Sequence, residues 1–258
     1  MFEIRRDKIM NFLKDQSSMT VRELADHLEV SEMTIRRDLS KMESDGVVKR
    51  YFGGVSCTTG TIAAQSIPLR AANMPAAKKK MAALANELVH DGDSVILDSG
   101  TTIYELAKLL GKKQLFIATS SLLVAENANS DTARIHLSGG KLDPKFKTLS
   151  GYYAENFYET INCDYAFVGA GGVSLKCGIT EFTEDAAALK RKMLSRARVG
   201  ILMVDSTKID TIQTFRAVAL EDIDIIITDC IPPSEYMDFF ENKGIKILIA
   251  EDEGQIVY

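Results

Sequence analysis

From Pro75 onward the chain alternates short apolar runs with stretches of helical periodicity. The runs SVILD (94–98), LFIAT (115–119), ARIHLS (133–138), DYAFVG (164–169), VGILMVD (199–205), DIIITD (224–229) and IKILIA (245–250) are strand-sized. Their near-continuous hydrophobicity is that of strands covered on both faces. Helical patterns lie between most of them, at 75–90, 102–110, 121–128, 184–197 and 234–242. Such alternation predicts an α/β domain with a mostly parallel sheet over 75–258. Residues 57–74, CTTGTIAAQSIPLRAANM, hold small and polar residues and Pro68 without a sustained period, which predicts a linker. No internal repeat or low-complexity tract interrupts the pattern.

Residues 1–56 follow a different rule. Ile9, Phe12 and Leu13 share one face of a first helix at i, i+3, i+4. Thr20 and Glu23 have capping-box spacing, so a second helix starts at Val21 and buries Leu24 and Leu28. After a tight turn at Glu29-Val30, Ser31 caps a third helix with Ile35, Leu39 and Met42 inward, closed at Asp45-Gly46. Two short helices on a tight turn with a third beneath predict a helix-turn-helix. VVKRYFGGV then reads as two short strands around a glycine turn, a wing.

Composition narrows the function. The 258 residues are 46% hydrophobic and 26% charged, enough for an ordinary soluble core. A formal net charge of −5 argues against a broadly basic, unspecific nucleic-acid binder. It allows a local basic edge, because screening confines surface charge effects to about 10 Å. The charged start MFEIRRDKIMNFLKDQ is no secretory signal, and no apolar run is long enough to span a bilayer, so a cytoplasmic protein without membrane contact is expected. Cys57, Cys163, Cys177 and Cys230 form no close pair and lie apart from His27, His90 and His136, which predicts reduced thiols and no metal site. No cofactor is expected either.

With the third helix's apolar stripe turned inward, Glu32, Thr34, Arg36, Arg37, Ser40 and Lys41 lie toward its outer side. The second helix of such a pair enters the major groove with its N-terminal residues leading. Arginine forks suit guanine edges, and either basic residue neutralises phosphate. The residues expected on double-stranded operator DNA are Ser31, Thr34, Arg36, Arg37 and Lys41, with Lys49 and Arg50 on the wing. The stretch VRELADHLEVSEMTIRRDLSKMESDGVVKR followed by YFGGV resembles the N-terminal signature of the DeoR family of bacterial transcriptional regulators. Val30-Ser31, Thr34 to Leu39, Gly46, Arg50 and Gly53-Gly54 match that pattern. Tyr51-Phe52 departs from it, standing where a histidine commonly precedes the glycine pair.

In the larger region a strand ending at Asp98 runs through Ser99-Gly100-Thr101-Thr102 into a helix with apolar positions Ile103, Leu106, Ala107 and Leu110. Strand, small-residue turn and helix start make an anion site: free N–H groups, a positive dipole end and close backbone approach at Gly100. There is no phosphate-binding G-x-x-x-x-G-K-[ST] loop and no G-x-G-x-x-G after a strand. Similar turns follow other strands: Thr119-Ser120-Ser121, Gly139-Gly140, Gly169 to Gly172, and Asp205 to Lys208. In a parallel sheet these converge on one edge, a set suited to a small phosphorylated polyol.

DGDSVILDSGTT, TSSLLVA, LSGGKLD, CDYAFVGAGGVSLKCGIT and VDSTK are similar to the DeoR-family sensor domain. Ser120 stands where asparagine is usual, and Lys-Leu-Asp follows Gly140 where an aromatic and an arginine often appear. The resemblance implies an effector site at Asp98, Ser99, Gly100, Thr101, Thr102, Thr119, Ser120, Ser121, Gly139, Gly171, Glu184 and Lys208. It implies a sugar-phosphate-responsive regulator of carbohydrate-metabolism genes, commonly a repressor and a homo-oligomer, dimer or tetramer. The sensor fold of the family is similar to ribose-5-phosphate isomerase and to CoA-transferases, so the alternative is an isomerase with a DNA-binding appendage. The isomerases carry Asp-Gly-Ala-Asp-Glu where this chain reads Gly169-Ala170-Gly171-Gly172, and their Lys-Gly-Gly-Gly loop is missing. Loss of the carboxylate base favours binding without turnover. A ligand-free interaction module, the third reading, predicts no convergent polar edge.

Overall fold

A computed structural model describes residues 2–15, 18–45, 47–51, 54–57, 67–128, 132–251 and 254–257. The chain divides into two compact units, 1–69 and 70–258.

The first unit runs α1 (Phe2–Asp15), β1 (Ser18–Met19), α2 (Val21–Leu28), α3 (Glu32–Ser44), β2 (Val48–Tyr51) and β3 (Gly54–Cys57). The capping box of α2 forms as the spacing predicts: the Thr20 Oγ1 accepts from Glu23 N at 3.1 Å, and Thr20 N donates to Glu23 Oε2 at 2.7 Å. Ser31 Oγ caps α3 by accepting from Thr34 N at 3.2 Å. Ile9, Leu13, Leu24, Ile35, Leu39 and Met42 form the core, joined by Val48 and Val55 from the wing. The three strands pair antiparallel in the order β1-β3-β2, so the wing has one strand more than the sequence pattern indicates. Asp38 is buried beneath α3 and takes both arms of Arg5, at 2.7 and 3.3 Å, tying α1 to α3. A bidentate guanidinium–carboxylate pair of this kind fixes angle as well as distance.

The second unit begins within α4 (Ile67–Ala72), a helix lying in the stretch read as linker. It continues with α5 (Pro75–Glu87), β4 (Ser94–Leu97), α6 (Thr101–Leu110), β5 (Phe116–Thr119), α7 (Leu122–Asn127) and β6 (Arg134–Leu137). A hairpin of β7 (Lys141–Asp143) and β8 (Thr148–Ser150) leads to α8 (Tyr152–Glu159) and β9 (Cys163–Val168). Then come β10 (Gly172–Ser174), β11 (Gly178–Glu181), α9 (Glu184–Ser195), β12 (Ala197–Met203) and β13 (Phe215–Val218). The unit closes with β14 (Ile225–Thr228), α10 (Ser234–Lys243), β15 (Lys246–Glu251) and β16 (Gly254–Val257).

The main sheet has the order β16-β15-β14-β12-β9-β4-β5-β6. Every neighbouring pair is parallel except β15–β16. All seven predicted strands are in it. One face packs Ile96, Ala118 and Ala166 against Ala154 and Tyr158 of α8 and Leu189 and Met193 of α9. Gly200 keeps that face shallow: a Cβ there would meet Leu194 Cδ2 at 2.9 Å. The other face carries Val95, Leu97, Phe167 and Ile201, all fully buried. Burial on both faces explains the unbroken apolar runs. A second sheet, β10-β11-β13, is antiparallel and flanks the carboxyl ends of the main strands through Gly172 and Glu181.

Candidate nucleic-acid interface and candidate effector site

Of the residues expected on DNA, Arg36, Arg37 and Lys41 are exposed on α3, as is Ser40 between them. Arg36 Nη2 is paired with Glu32 Oε2 at 3.0 Å, one turn away. The Lys41 ammonium sits 4.0 Å over the Phe2 ring. Arg37 makes no hydrogen bond or ion pair with any described residue. Ser31 and Thr34 share a hydroxyl–hydroxyl bond of 2.9 Å at the start of the helix. Arg50 is exposed but bonded back onto α3. Its Nε donates to Glu43 Oε2 at 2.8 Å, its main-chain N–H to Glu43 Oε1 at 3.0 Å, and Nη1 to Ser40 Oγ at 3.0 Å. It joins β2 to α3, and the Glu43 carboxyl is held below its ordinary range by those Arg50 bonds, the main-chain one foremost. Lys49 lies in β2, and its side chain is outside the described residues, as are Gly46 and Gly53.

In the second unit β12, β9, β4 and β5 are neighbours, so the turns after them meet at one edge. Gly100 caps α6 with φ +138°, a conformation glycine adopts without strain. Thr101 and Thr102 open that helix, both buried, and the N–H groups of its first turn have no partner within the helix. Lys208 ends the turn Ser206–Lys208 after β12, half-buried and without an ion pair among the described residues. Asp205 caps that turn, accepting from Thr207 N at 3.1 Å. The turn Gly169-Ala170-Gly171-Gly172 after β9 lies between these two, since β9 lies between β4 and β12. Gly169 N donates to Asp98 Oδ2 at 3.2 Å. Gly171 is packed: its carbonyl accepts from Gln213 Nε2 at 3.2 Å, and a Cβ would stand 3.0 Å from Thr180 O.

Other predicted members serve the scaffold. Thr119 Oγ1 donates to Leu97 O at 2.7 Å and accepts from Ser121 N at 3.1 Å. Ser120 Oγ bonds Ser138 Oγ and Tyr158 Oη, each at 2.9 Å, and Ser121 caps α7. Asp98 Oδ1 accepts from Ser99 N at 2.7 Å, and Oδ2 pairs with the buried Lys190 ammonium. Gly139 follows β6, two strands beyond β4, which places it about 10 Å to the side. Glu184 is exposed in the first turn of α9.

Several residues at this edge escape the sequence reading. Lys190 Nζ also lies 3.2 Å from Glu181 Oε1. Burial pulls Lys190 down, but Asp98 and Glu181 outweigh it and raise its pKa. Burial pushes the Glu181 carboxyl up, against the pull of Lys190. Arg70 makes no ion pair among the described residues, yet its charge is felt at Lys78, Tyr104, Glu181 and Lys208. Lys78 is 4% exposed, and its Nζ donates to Arg70 O at 2.6 Å and to Asn73 O. Burial, with Lys208 and Arg70 nearby, lowers the Lys78 pKa despite Asp205. Burial likewise lowers Lys208, again with Arg70 adding and Asp205 opposing. Arg70, Lys78 and Lys208 are thus coupled charges, and the Arg70 carbonyl oxygen links them to the start of α6, accepting from Lys78 Nζ at 2.6 Å and from Thr101 Oγ1 at 3.5 Å. Arg70 and Lys78 sit in or next to the stretch read as linker, where no pattern marked them.

Residues 73–230 match the family model described as the DeoR C terminal sensor domain, and residues 5–61 match the DeoR-like helix-turn-helix domain. The chain belongs to the DeoR family. It is a DNA-binding transcriptional regulator with an N-terminal helix-turn-helix unit and a C-terminal sensor unit. DeoR-family relatives align over almost the full length. The HTH-type transcriptional repressor GlcR of Bacillus subtilis (strain 168) is 33% identical over 98% of each chain. A putative aga operon transcriptional repressor of Escherichia coli O157:H7 is 30% identical over 95% of this chain and 93% of its own. Among solved structures, ribose 5-phosphate isomerase A of Methanocaldococcus jannaschii is 13% identical, with a TM-score of 0.41, over 70% of this chain and 97% of that one. Among the described residues no helix is long and apolar enough to cross a membrane.

Proposed function

We propose that this DeoR-family chain is a repressor of carbohydrate-metabolism genes whose grip on operator DNA is set by a phosphorylated sugar. The reading rests on one observation. Arg70 and Lys208, with no ion pair among the described residues, both lower the proton affinity of the buried Lys78, Arg70 lowers that of Lys208 as well, and the Arg70 carbonyl oxygen stands 3.5 Å from Thr101 Oγ1 at the start of α6. A dianionic phosphate relieves the mutual repulsion of these cations and takes up the helix-start donors. The polyol then extends toward Glu181, Asp98 and the Gly169–Gly172 turn. Asp98 acts as scaffold, holding Ser99 and Gly169 in place through its main-chain bonds.

On the DNA side, Arg37 reads bases, Arg36 and Lys41 flank it toward the phosphates, Ser31 and Thr34 set the helix start, and Lys49 extends the wing. Arg50 holds that wing against α3. The protein works without catalysis, in the cytoplasm, as a homo-oligomer, so that effector binding changes the geometry of paired DNA-reading helices. The open edge of the main sheet at β6, with Leu137 exposed, supports self-association.

The test is thermal shift of the full chain against a panel of sugar phosphates and their dephosphorylated forms, followed by gel shift with each hit. A phosphorylated sugar should stabilise the protein and alter DNA affinity, and Lys208→Ala should weaken it at least about tenfold more than its dephosphorylated form. Equal losses for both forms, or hits that leave DNA binding unchanged, would overturn the reading.

A further inference from the structure

The outward stripe of α3 runs Met33, Arg37, Ser40, Ser44, at i, i+4, i+7 and i+11, opposite the buried Ile35, Asp38, Leu39 and Met42. At about 100° per residue, Met33 and Arg37 stand roughly 40° apart on the side farthest from the core. Met33 is 76% exposed. The polar groups around it are spent. Glu32 holds Arg36 at 3.0 Å, the Ser31 and Thr34 hydroxyls hold each other, and Ser40 Oγ donates to Arg36 O at 2.8 Å. Ser44 Oγ donates to Lys41 O at 2.7 Å. The helix therefore presents outward, at its first turn, a bare thioether chain. One turn on it presents an unpaired guanidinium.

A single exposed methionine on an ordinary surface needs no explanation. Here it occupies the leading outward position of the helix that enters the major groove, where N-terminal residues meet base edges. The apolar feature of that groove is the thymine C5-methyl, and the bidentate feature that suits arginine is guanine O6 and N7. We propose that Met33 packs on a thymine methyl in each operator half-site, within about two base pairs of the guanine read by Arg37, since one helical turn and two base-pair steps both span roughly 6 Å. The proposal rests on α3 as the DNA reader and adds a specificity residue that carries no charge.

The test begins with selection of bound duplexes from a random pool by the full chain. Each thymine of the selected site is then replaced by deoxyuridine, which removes only the methyl group. Wild type should lose about 3- to 10-fold in affinity at one thymine per half-site. Met33→Ala and Met33→Gln, at an exposed position, should fold normally, bind the thymine site weaker by a similar factor, and lose nothing further on deoxyuridine. Deoxyuridine costs that are the same in wild type and both variants at every position would overturn the proposal and leave α3 as reader. A pool in which no sequence is enriched would overturn α3 as reader, and the proposal with it.

Discussion

Arg50 on the wing grips Glu43 on the recognition helix twice, through its guanidinium at 2.8 Å and through its own main-chain N–H at 3.0 Å. A side chain held this way ties β2 to α3 and spends its Nε and Nη1 donors within the unit. Arg50→Ala and Glu43→Gln should therefore weaken operator binding to a similar degree. The slope of log affinity against log salt should stay at its wild-type value in both. An arginine lost from a phosphate would instead lower that slope by about 1, as expected for Arg37→Ala or Arg36→Ala wherever those reach the backbone. Salt titrations of the four variants decide the matter: a reduced slope in Arg50→Ala with Glu43→Gln unaffected would return Arg50 to the DNA-contacting set.

The Asp98–Lys190–Glu181 cluster makes a second prediction. Removing the cation leaves two carboxylates in a buried site, so Lys190→Met should destabilise the sensor unit by about 3–5 kcal/mol. Asp98→Asn in the same chain should recover part of that, because the cost is uncompensated charge rather than lost volume. The pH sign follows from Glu181, whose folded pKa is raised chiefly by burial. Its contribution is fully present below the unfolded value of 4.5 and is lost as pH rises through the folded one. The deficit of Lys190→Met should therefore shrink in acid. Denaturant titrations at several pH values would show this, and a deficit that grows toward low pH would contradict the assignment.

How far the sequence foretold this molecule depended on the range of the signal. The caps at Thr20 and Ser31 and the strand after each helix are local patterns, and each is where its spacing put it. The Asp98–Thr102 and Asp205–Lys208 turns were legible because small polar residues end apolar runs there. Lys190 was not, since on α9 it reads as one more solvated lysine until the fold carries it to Asp98, 92 residues earlier. Arg70 and Lys78 were missed for the same reason: their charge acquires meaning only beside Lys208. Thr119, Ser120 and Ser121 show what residue type alone leaves out. Their hydroxyls resemble ligand donors by type, yet the neighbouring strands and helices use them to close their own backbone and side-chain bonds.

Gly172 offers a purely steric test of the candidate effector edge. A Cβ at this position would lie 2.3 Å from the Thr211 carbonyl oxygen, a main-chain atom of the loop that follows Lys208. Gly172→Ala must push that loop outward, at a cost of about 1–3 kcal/mol. It should reduce effector affinity at least tenfold while non-specific DNA binding of the full chain is unchanged. Gly92→Ala, before β4 at the end of the strand away from this edge, is the control for backbone strain alone, with nothing within 4 Å and φ +95°. Unaltered effector binding in Gly172→Ala would separate the glycine turn from the site.

Proton linkage supplies the last prediction. Burial, helped by Arg70, lowers the pKa of Lys208 below 10.5, and burial with Lys208 and Arg70 does the same to Lys78. In the empty protein each lysine therefore gives up its proton at a lower pH than it does in the unfolded chain. Across that window the unfolded state binds more protons, so the stability of the empty sensor unit rises with pH until 10.5. A phosphate dianion favours the charged ammonium and restores the proton. Effector affinity must then fall over the same window, with proton uptake on binding. It should also weaken below about pH 6, where the phosphate becomes a monoanion. Calorimetric titrations from about pH 5 to about pH 10.5, in buffers of differing ionisation enthalpy, measure affinity and proton uptake, and denaturant titrations over the same range measure stability. Rising stability with falling affinity is the expected pair of slopes. An affinity flat to 10.5, without proton uptake, would mean that neither lysine meets the anion.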